Sequence, residues 1–275
     1  MKQKNTVLSY VLIIAFCILF LFPIYWMLST SFKTNDVIMK LPPQWIPRAP
    51  TLQNYLNVFG DNKFLTFYKN SIIVSLSTTV TSLILAVLAS YSFSRFKFFG
   101  SNAIQMVFLS TQMFPAMVLL IAMYTMYRQL NLINTYTALV LACTTKALPL
   151  SVWVLKGFYD GIPRDLEEAA SIDGCGRYET LFKVILPLIK PGALAVAIYA
   201  FLVSWDDFLW GLTLVNKLEM RTLTPGISLT YLGEFSYDWA KVMTAAVGAS
   251  VPVLTAFIFM QKYMISGLTV GAVKG

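Results

Sequence analysis

The sequence predicts an all-α integral membrane protein with six transmembrane helices and a polar, glycine-broken loop before the fifth. Three observations carry this. The 275 residues are 57% hydrophobic and only 12% charged, with mean hydropathy +0.67; a soluble domain carries roughly 25% charged residues. The charges stand at the ends of long apolar gaps. The polar, charged segment 158–190 separates two such gaps.

The gaps define the spans. Lys4 and Lys33 bracket the first, residues 9–30. It is too long for a signal-peptide core and has no small-residue cleavage site, so it reads as a retained anchor. Lys69 and Arg95 bracket the second, 70–94, and Lys97 and Arg128 the third, 102–127, in which Pro115 predicts a kink. The fourth, 136–157, contains Lys146 well inside it and Lys156 at its end. The fifth, 191–214, carries Asp206 and Asp207, and the sixth, 242–264, contains Pro252. Each has about 20 residues or more, enough to cross a hydrocarbon core of roughly 30 Å. The chain reads as one transmembrane domain, 1–275, without a convincing internal repeat, which argues against the commonest secondary-transporter designs.

Six spans put both termini on one side. With the termini in the cytoplasm, Lys2, Lys4, Arg95, Lys97, Arg164, Arg177, Lys183, Lys190, Lys262 and Lys274 lie inside. The outside set includes Lys33, Lys40, Arg48, Lys63 and Lys69, much of it in one long loop, and near short loops the positive-inside bias modestly favours this orientation. The predicted outer loops are 33–69 and 215–241, and 265–275 is a cytoplasmic tail. Pro42, Pro43, Pro47 and Pro50 break the first outer loop, with Trp45 and Tyr55 suited to the membrane interface. In the second, Pro225-Gly226 predicts a turn. Its aromatics Tyr231, Phe235, Tyr237 and Trp239 suit either lipid anchoring or an extracellular partner.

Several chemistries are excluded or disfavoured. The chain has no His, which removes a typical zinc site and a His-based triad. Cys17, Cys143 and Cys175 are far apart in sequence, two of them in apolar spans, so no disulfide framework is expected. There is no G-x-x-x-x-G-K-[ST] loop, so this chain does not hydrolyse ATP by P-loop chemistry. The net charge of +8 comes from single residues at span ends, which membrane topology explains better than nucleic-acid binding. No catalytic residue and no metal ligand are assigned.

The most informative stretch runs from Glu168 to Gly176. Pro163 suits a first helical turn, and Asp165, Glu167 and Glu168 set negative charge against the positive end of the helix dipole. Ala169 and Ala170 leave a smooth surface for close packing by another protein. Gly174 and Gly176 allow the positive φ that stops a helix. Leu181, Phe182, Ile185 and Leu188 follow at near-helical spacing until Pro187 and Pro191 end that stretch. A helix–glycine–helix on the inner surface of a membrane protein reads as a docking element.

The stretch Glu168-Ala-Ala-Ser-Ile-Asp-Gly174, continued by Phe182-Lys-Val-Ile-Leu-Pro187 and Pro191-Gly192, resembles the EAA loop of binding-protein-dependent ABC-importer permeases. Asn70-Ser71 and Tyr91-Ser-Phe-Ser-Arg95 stand at the two ends of the second span in the family manner. Ser204-Trp-Asp-Asp-Phe-Leu209 resembles the W-N-[DE]-F pattern of the carbohydrate class. Gly267-Leu-Thr-Val-Gly-Ala-Val-Lys-Gly275 is similar to the closing tail of the smaller permease subunit of maltose-type transporters. The resemblance covers essentially the whole chain. Asp206 departs from it, standing where the class has Asn, and so does Lys146 inside a span.

The resemblance implies a type I ABC-importer permease in the cell membrane, with a second homologous permease subunit, two ATPase subunits and an extracellular solute-binding protein. It implies a sugar as substrate, and ATP and Mg only on the ATPase partners, with no cofactor on this chain. Loop 158–190 would supply the coupling helix, with Glu168, Ala169, Ala170, Asp173 and Gly174 at the ATPase surface. Val273, Lys274 and Gly275 would reach the ATPases, and Tyr231, Phe235, Tyr237 and Trp239 the binding protein.

Sugars present apolar faces and hydroxyl edges, so Gln112, Trp205, Asp206, Asp207 and Trp210 are candidates for the substrate path. Lys146 faces a cavity, a partner subunit or an acid, with Asp206 and Asp207 as possible partners, or it snorkels to an interface. An importer of this architecture for a non-sugar solute and an ion-coupled carrier are the alternatives. The carrier reading leaves the EAA segment without a purpose.

Overall fold

The computed structural model describes residues 2–233 and 237–272. In chain order its helices are α1 (Lys2–Ser31), α2 (Asn35–Ile38), α3 (Gln53–Phe59), α4 (Asn62–Arg95), α5 (Ser101–Ser110), α6 (Ala116–Gln129) and α7 (Tyr136–Asp160). Then follow α8 (Asp165–Ile172), α9 (Arg177–Glu179), α10 (Leu186–Leu188), α11 (Lys190–Trp205), α12 (Leu209–Leu214), α13 (Leu223–Tyr231) and α14 (Trp239–Ala272). Among the described residues there is no β-strand beyond the single bridge Leu232–Tyr237. The protein is all-α.

Within α1, α4, α7 and α14 lie four unbroken segments long and apolar enough to cross a membrane, and two bent pairs raise the number to as many as six. One bend is the kink that the sequence predicts at Pro115 in the third span, and the other lies at Ile189, just ahead of the predicted fifth span. Between α5 and α6 the direction changes by 104°. Phe114 and Pro115 are extended there, at ψ 133 and 127, because proline disfavours helix at the residue before it and has no N–H to donate. The second pair bends by 81° where α10 meets α11. Pro187 and Pro191 fall in the first turns of α10 and α11, where a missing N–H costs nothing, on either side of the turn at Ile189 that ends the amphipathic run. Thr180–Ile185 is a π-helical turn between α9 and α10. At the other end, α11 stops at Trp205 and α12 starts afresh at Leu209. The predicted tail from 265 is helical as far as Ala272; Val273, Lys274 and Gly275 lie outside the described residues.

The chain divides into two compact units, Met1–Leu65 with Gly226–Pro252, and Thr66–Pro225 with Val253–Gly275. In the first, α1 leaves most of its apolar side chains exposed, from Tyr10 to Ile24, as a helix in hydrocarbon does. Segment 33–52 wraps the end of α1. Asn54 Nδ2 donates to Ser31 O and Lys33 O, both at 2.8 Å. Tyr25 and Ser29 hydroxyls donate to Trp45 O, and the Trp45 ring packs edge-on to Trp26 with centroids 5.6 Å apart. Lys33 is buried there. It donates to Gln44 O at 2.5 Å and stands 4.4 Å over the Trp26 ring, and its burial pulls the ammonium pKa down.

In the second unit, one core cluster joins Ala86 and Val87 of α4 to Val152, Leu155 and Tyr159 of α7, to Leu181, Ile185 and Ile189, and to Val196 of α11. A second cluster joins Val74, Tyr127, Ala138, Leu139, Ala142, Trp210 and Leu214. Asn70, Ser71, Ser75, Thr78, Ser82 and Ser90 form a buried polar stripe along α4. Small polar residues let helix backbones approach closely where lipid supplies no hydrophobic drive. Gly192 serves the same end: a Cβ there would sit 2.5 Å from the Phe158 ring.

Candidate functional site

The segment between α7 and α11 folds as a short exposed helix, a sharp turn and a second helical run. Asp165, Glu167 and Glu168 occupy the first turn of α8, where the dipole favours them. Its end is a Schellman motif. Gly174 N donates to Ser171 O at 3.1 Å and Cys175 N to Ala170 O at 2.9 Å, with Gly174 at φ +86°. Gly176 corrects the expectation of a second left-handed glycine, since its φ is −72°. It caps α9 instead, its N–H donating to the Glu179 carboxylate at 3.2 Å.

Of the predicted docking residues, Glu168, Ala169, Asp173 and Gly174 are exposed, whereas Ala170 is buried against the protein's own chain. Only one alanine of the pair therefore offers itself to another protein. Leu166 and Ile172 flank Ala169 at helical spacing and are 42% and 87% exposed. This is an apolar stripe on a helix that buries almost nothing of its own.

Sequence reasoning missed how α8 is held. Arg95 Nε at the end of α4 pairs with Glu167 Oε1, and Tyr91 OH donates to Glu167 Oε2 at 3.2 Å. Arg95 Nη2 also donates to Ile162 O at 3.1 Å. A cleft of about 230 Å³ opens beside the pair, lined by Phe96, Arg164, Glu168, Cys175 and Arg177 among others. Arg177 stands 5.5 Å from the centre of the Phe96 ring. In sequence Arg95 reads only as a span end, because its partner lies 72 residues away.

The described residues of the predicted outer segment 215–241 include the helix α13 and the start of α14. Two asparagines pin its first part. Asn134, at φ +61°, accepts from Asn216 N and Lys217 N at 2.7 and 3.0 Å. Asn70 Nδ2 donates to Glu219 O and Arg221 O at 2.9 and 2.8 Å while its Oδ1 accepts from Tyr136 OH. Ser71 Oγ accepts from Leu223 N at 2.7 Å. Pro225-Gly226 does not make the expected turn; it lies in the first turns of α13, where proline is tolerated. Tyr231, expected on a contact surface, is buried, and its burial pushes the phenol pKa up to about 12. Tyr237 is 57% exposed and Trp239 half-buried. Phe235 lies outside the described residues.

The candidate substrate-path residues separate by burial. Gln112, Lys146 and Asp206 are exposed, and Gln112 Nε2 donates to Lys146 O at 2.9 Å. Trp205 is buried against Phe201 and Tyr68, and Trp210 lies in the second core cluster, so packing accounts for both indoles. Asp207 is buried with Oδ2 accepting from Gly211 N at 2.9 Å, which caps the start of α12. Among the described residues Lys146 makes no ion pair within 4.0 Å, so the expected pairing with Asp206 or Asp207 is not formed.

Residues 80–270 match the family described as the binding-protein-dependent transport system inner membrane component. The chain belongs to this family. It is a multi-pass transport subunit of the inner membrane, in transport that depends on a binding protein. Among its relatives is the sulfoquinovosyl glycerol transport system permease protein SmoH of Agrobacterium fabrum, 40% identical over 255 residues, covering 93% of this chain and 89% of that protein. Another is the trehalose/maltose transport system permease protein MalG of Thermococcus litoralis, 34% identical over 279 residues, covering 99% and 100%. A bacterial ABC transporter involved in the import of the acidic polysaccharide alginate shares the fold with TM-score 0.82, at 23% identity and over 95% of this chain and 96% of that one.

Proposed function

We propose that this permease moves a sugar, and specifically an oligosaccharide, delivered by an extracellular solute-binding protein. Its partners are a second homologous permease and two ATPase subunits. ATP and Mg are handled on those subunits, and both termini and α8 face the cytoplasm. The observation that carries this reading is α8 itself. It is a helix closed by a glycine turn, with the apolar stripe Leu166, Ala169 and Ile172 exposed, in a chain without a nucleotide-binding loop. Such a helix is a docking element in need of a partner that supplies energy. The relatives named for trehalose/maltose and sulfoquinovosyl glycerol transport support a sugar as the cargo. Exposed Gln112 and Asp206 offer hydrogen-bonding groups of the kind a hydroxyl-rich solute requires.

The test is reconstitution in liposomes with a second permease, an ATPase and a solute-binding protein from the same organism. Uptake of a labelled oligosaccharide that requires both ATP and the binding protein is expected. Uptake that persists without ATP and follows an ion gradient would overturn the reading, and ATP-driven uptake of a non-sugar solute alone would overturn the choice of cargo.

A further inference from the structure

α8 is attached to the rest of the protein in an unusual way. Its only buried residue is Ala170, and Leu166 and Ile172 point away from the chain. Hydrophobic packing therefore contributes little to its direction. Among the described residues, Glu167 is the only α8 side chain with a hydrogen bond or ion pair to another element. That one carboxylate is held at both oxygens by α4 residues one turn apart, Arg95 on one and Tyr91 on the other. The pair is shielded from water, with side chains 7% and 18% exposed. The Arg95 fork reaches Ile162 O at the same time and so grips the chain entering α8. Beside it Ser94 Oγ donates to Asp160 at 2.5 Å, and Arg164 Nη2 donates to Ser94 O at 3.3 Å.

We propose that Arg95 and Glu167 are positioning residues that lock α8 to the end of α4 and carry any displacement of α8 into that helix. This rests on the reading of α8 as the element that docks on an ATPase. The physical basis is the cost of separation. Pulling α8 away without moving α4 breaks the charge-assisted hydrogen bonds of a mostly shielded pair, whereas moving both together keeps them. The start of α4 is bonded to segment 219–223 through Asn70 and Ser71, so a shift of α4 along its axis reaches that segment as well.

The experiment has two readouts. In the full-length chain in nanodiscs, with Cys17, Cys143 and Cys175 replaced by serine, a nitroxide is placed on a cysteine introduced at exposed Ile172. R95A and E167Q are expected to raise its mobility, with R95K between R95A and the parent, because lysine keeps the charge but not the fork. In the assembled transporter, the same substitutions are expected to lower stimulation of ATPase activity by loaded binding protein at least about fivefold while basal activity stays. E167Q keeps the side-chain shape and serves if R95A fails to fold. Label spectra for R95A and E167Q that match the parent would overturn the lock. So would equal losses of assembly and stimulation with R95K no better than R95A, the pattern of a merely structural role. A mobility response together with an unsubstituted transporter that shows no stimulation would count against the transport reading and leave the lock standing.

Discussion

Asn35 Nδ2 donates to Asp238 Oδ1 at 2.6 Å across 203 residues of chain, and Asn35 Oδ1 accepts from Ala240 N at 3.0 Å. Asp238 also accepts from Lys241 N at 3.1 Å and pairs with Lys241 Nζ at 2.8 Å. The first turn of α14 is thus capped by a residue from each end of the sequence. Replacing Asn35 by alanine is expected to cost about 1 kcal/mol. A lowered thermal midpoint in nanodiscs checks it, and no change would mean that the cap carries no stability.

The same cap gives a pH dependence. Burial pushes the Asp238 carboxyl up, but the Lys241 ammonium and amide and the Asn35 amide outweigh it and hold the pKa below its ordinary value. A depressed folded value means the contribution is complete above the unfolded carboxylate range, about 3.9, and is lost as pH falls through the folded value. The stability advantage of the parent over D238N is therefore expected at neutral pH and to fade in acid. An advantage that stays constant down to about pH 3 would contradict it.

Gly174 sits at φ +86° with open space around the position a Cβ would take. A side chain there meets no clash, so the whole penalty is backbone strain, about 1–2 kcal/mol for an ordinary L-residue. Gly174→Val is expected to assemble but lose stimulated ATPase activity, and Gly174→Asn to keep more of it because asparagine tolerates this region. Equal activity in both variants and the parent would show that the turn is not needed for coupling.

Asn70 joins three segments through one side chain. Asn70→Ala leaves Glu219 O and Arg221 O, in part-buried bonds, without that donor, at about 0.5–1.5 kcal/mol for each bond. Limited proteolysis after Arg221 should become faster in membranes. Unchanged cleavage would mean that Asn134 and Ser71 hold the segment without Asn70.

A methyl group at Gly192 would collide with the Phe158 ring. Gly192→Ala is expected to destabilise the α7–α11 packing by roughly 1–3 kcal/mol, and Phe158→Leu in the same chain to recover part of it. Recovery distinguishes a local clash from a general loss of helix packing, and thermal unfolding of the single and double variants reads it.

The sequence by itself determined that the chain is helical and membrane-bound, and that a helix and a glycine turn stand between the fourth and fifth apolar stretches. These are local properties. Hydropathy sums over some twenty neighbouring residues, and the turn at Gly174 follows from a single residue's φ preference. Breaks at Pro115 and Trp205 were less legible, because a proline marks a weak point and only packing sets the angle. The tertiary structure alone decided which side chains are partners. Arg95 and Glu167, Asn70 and Arg221, and Asn35 and Asp238 are 72, 151 and 203 residues apart. Nothing in the composition around either member names the other. Burial also reversed expectations at Ala170, Tyr231, Trp205 and Trp210, since the same aromatic or small residue serves a surface or a core, and which one depends on the helix that happens to lie against it.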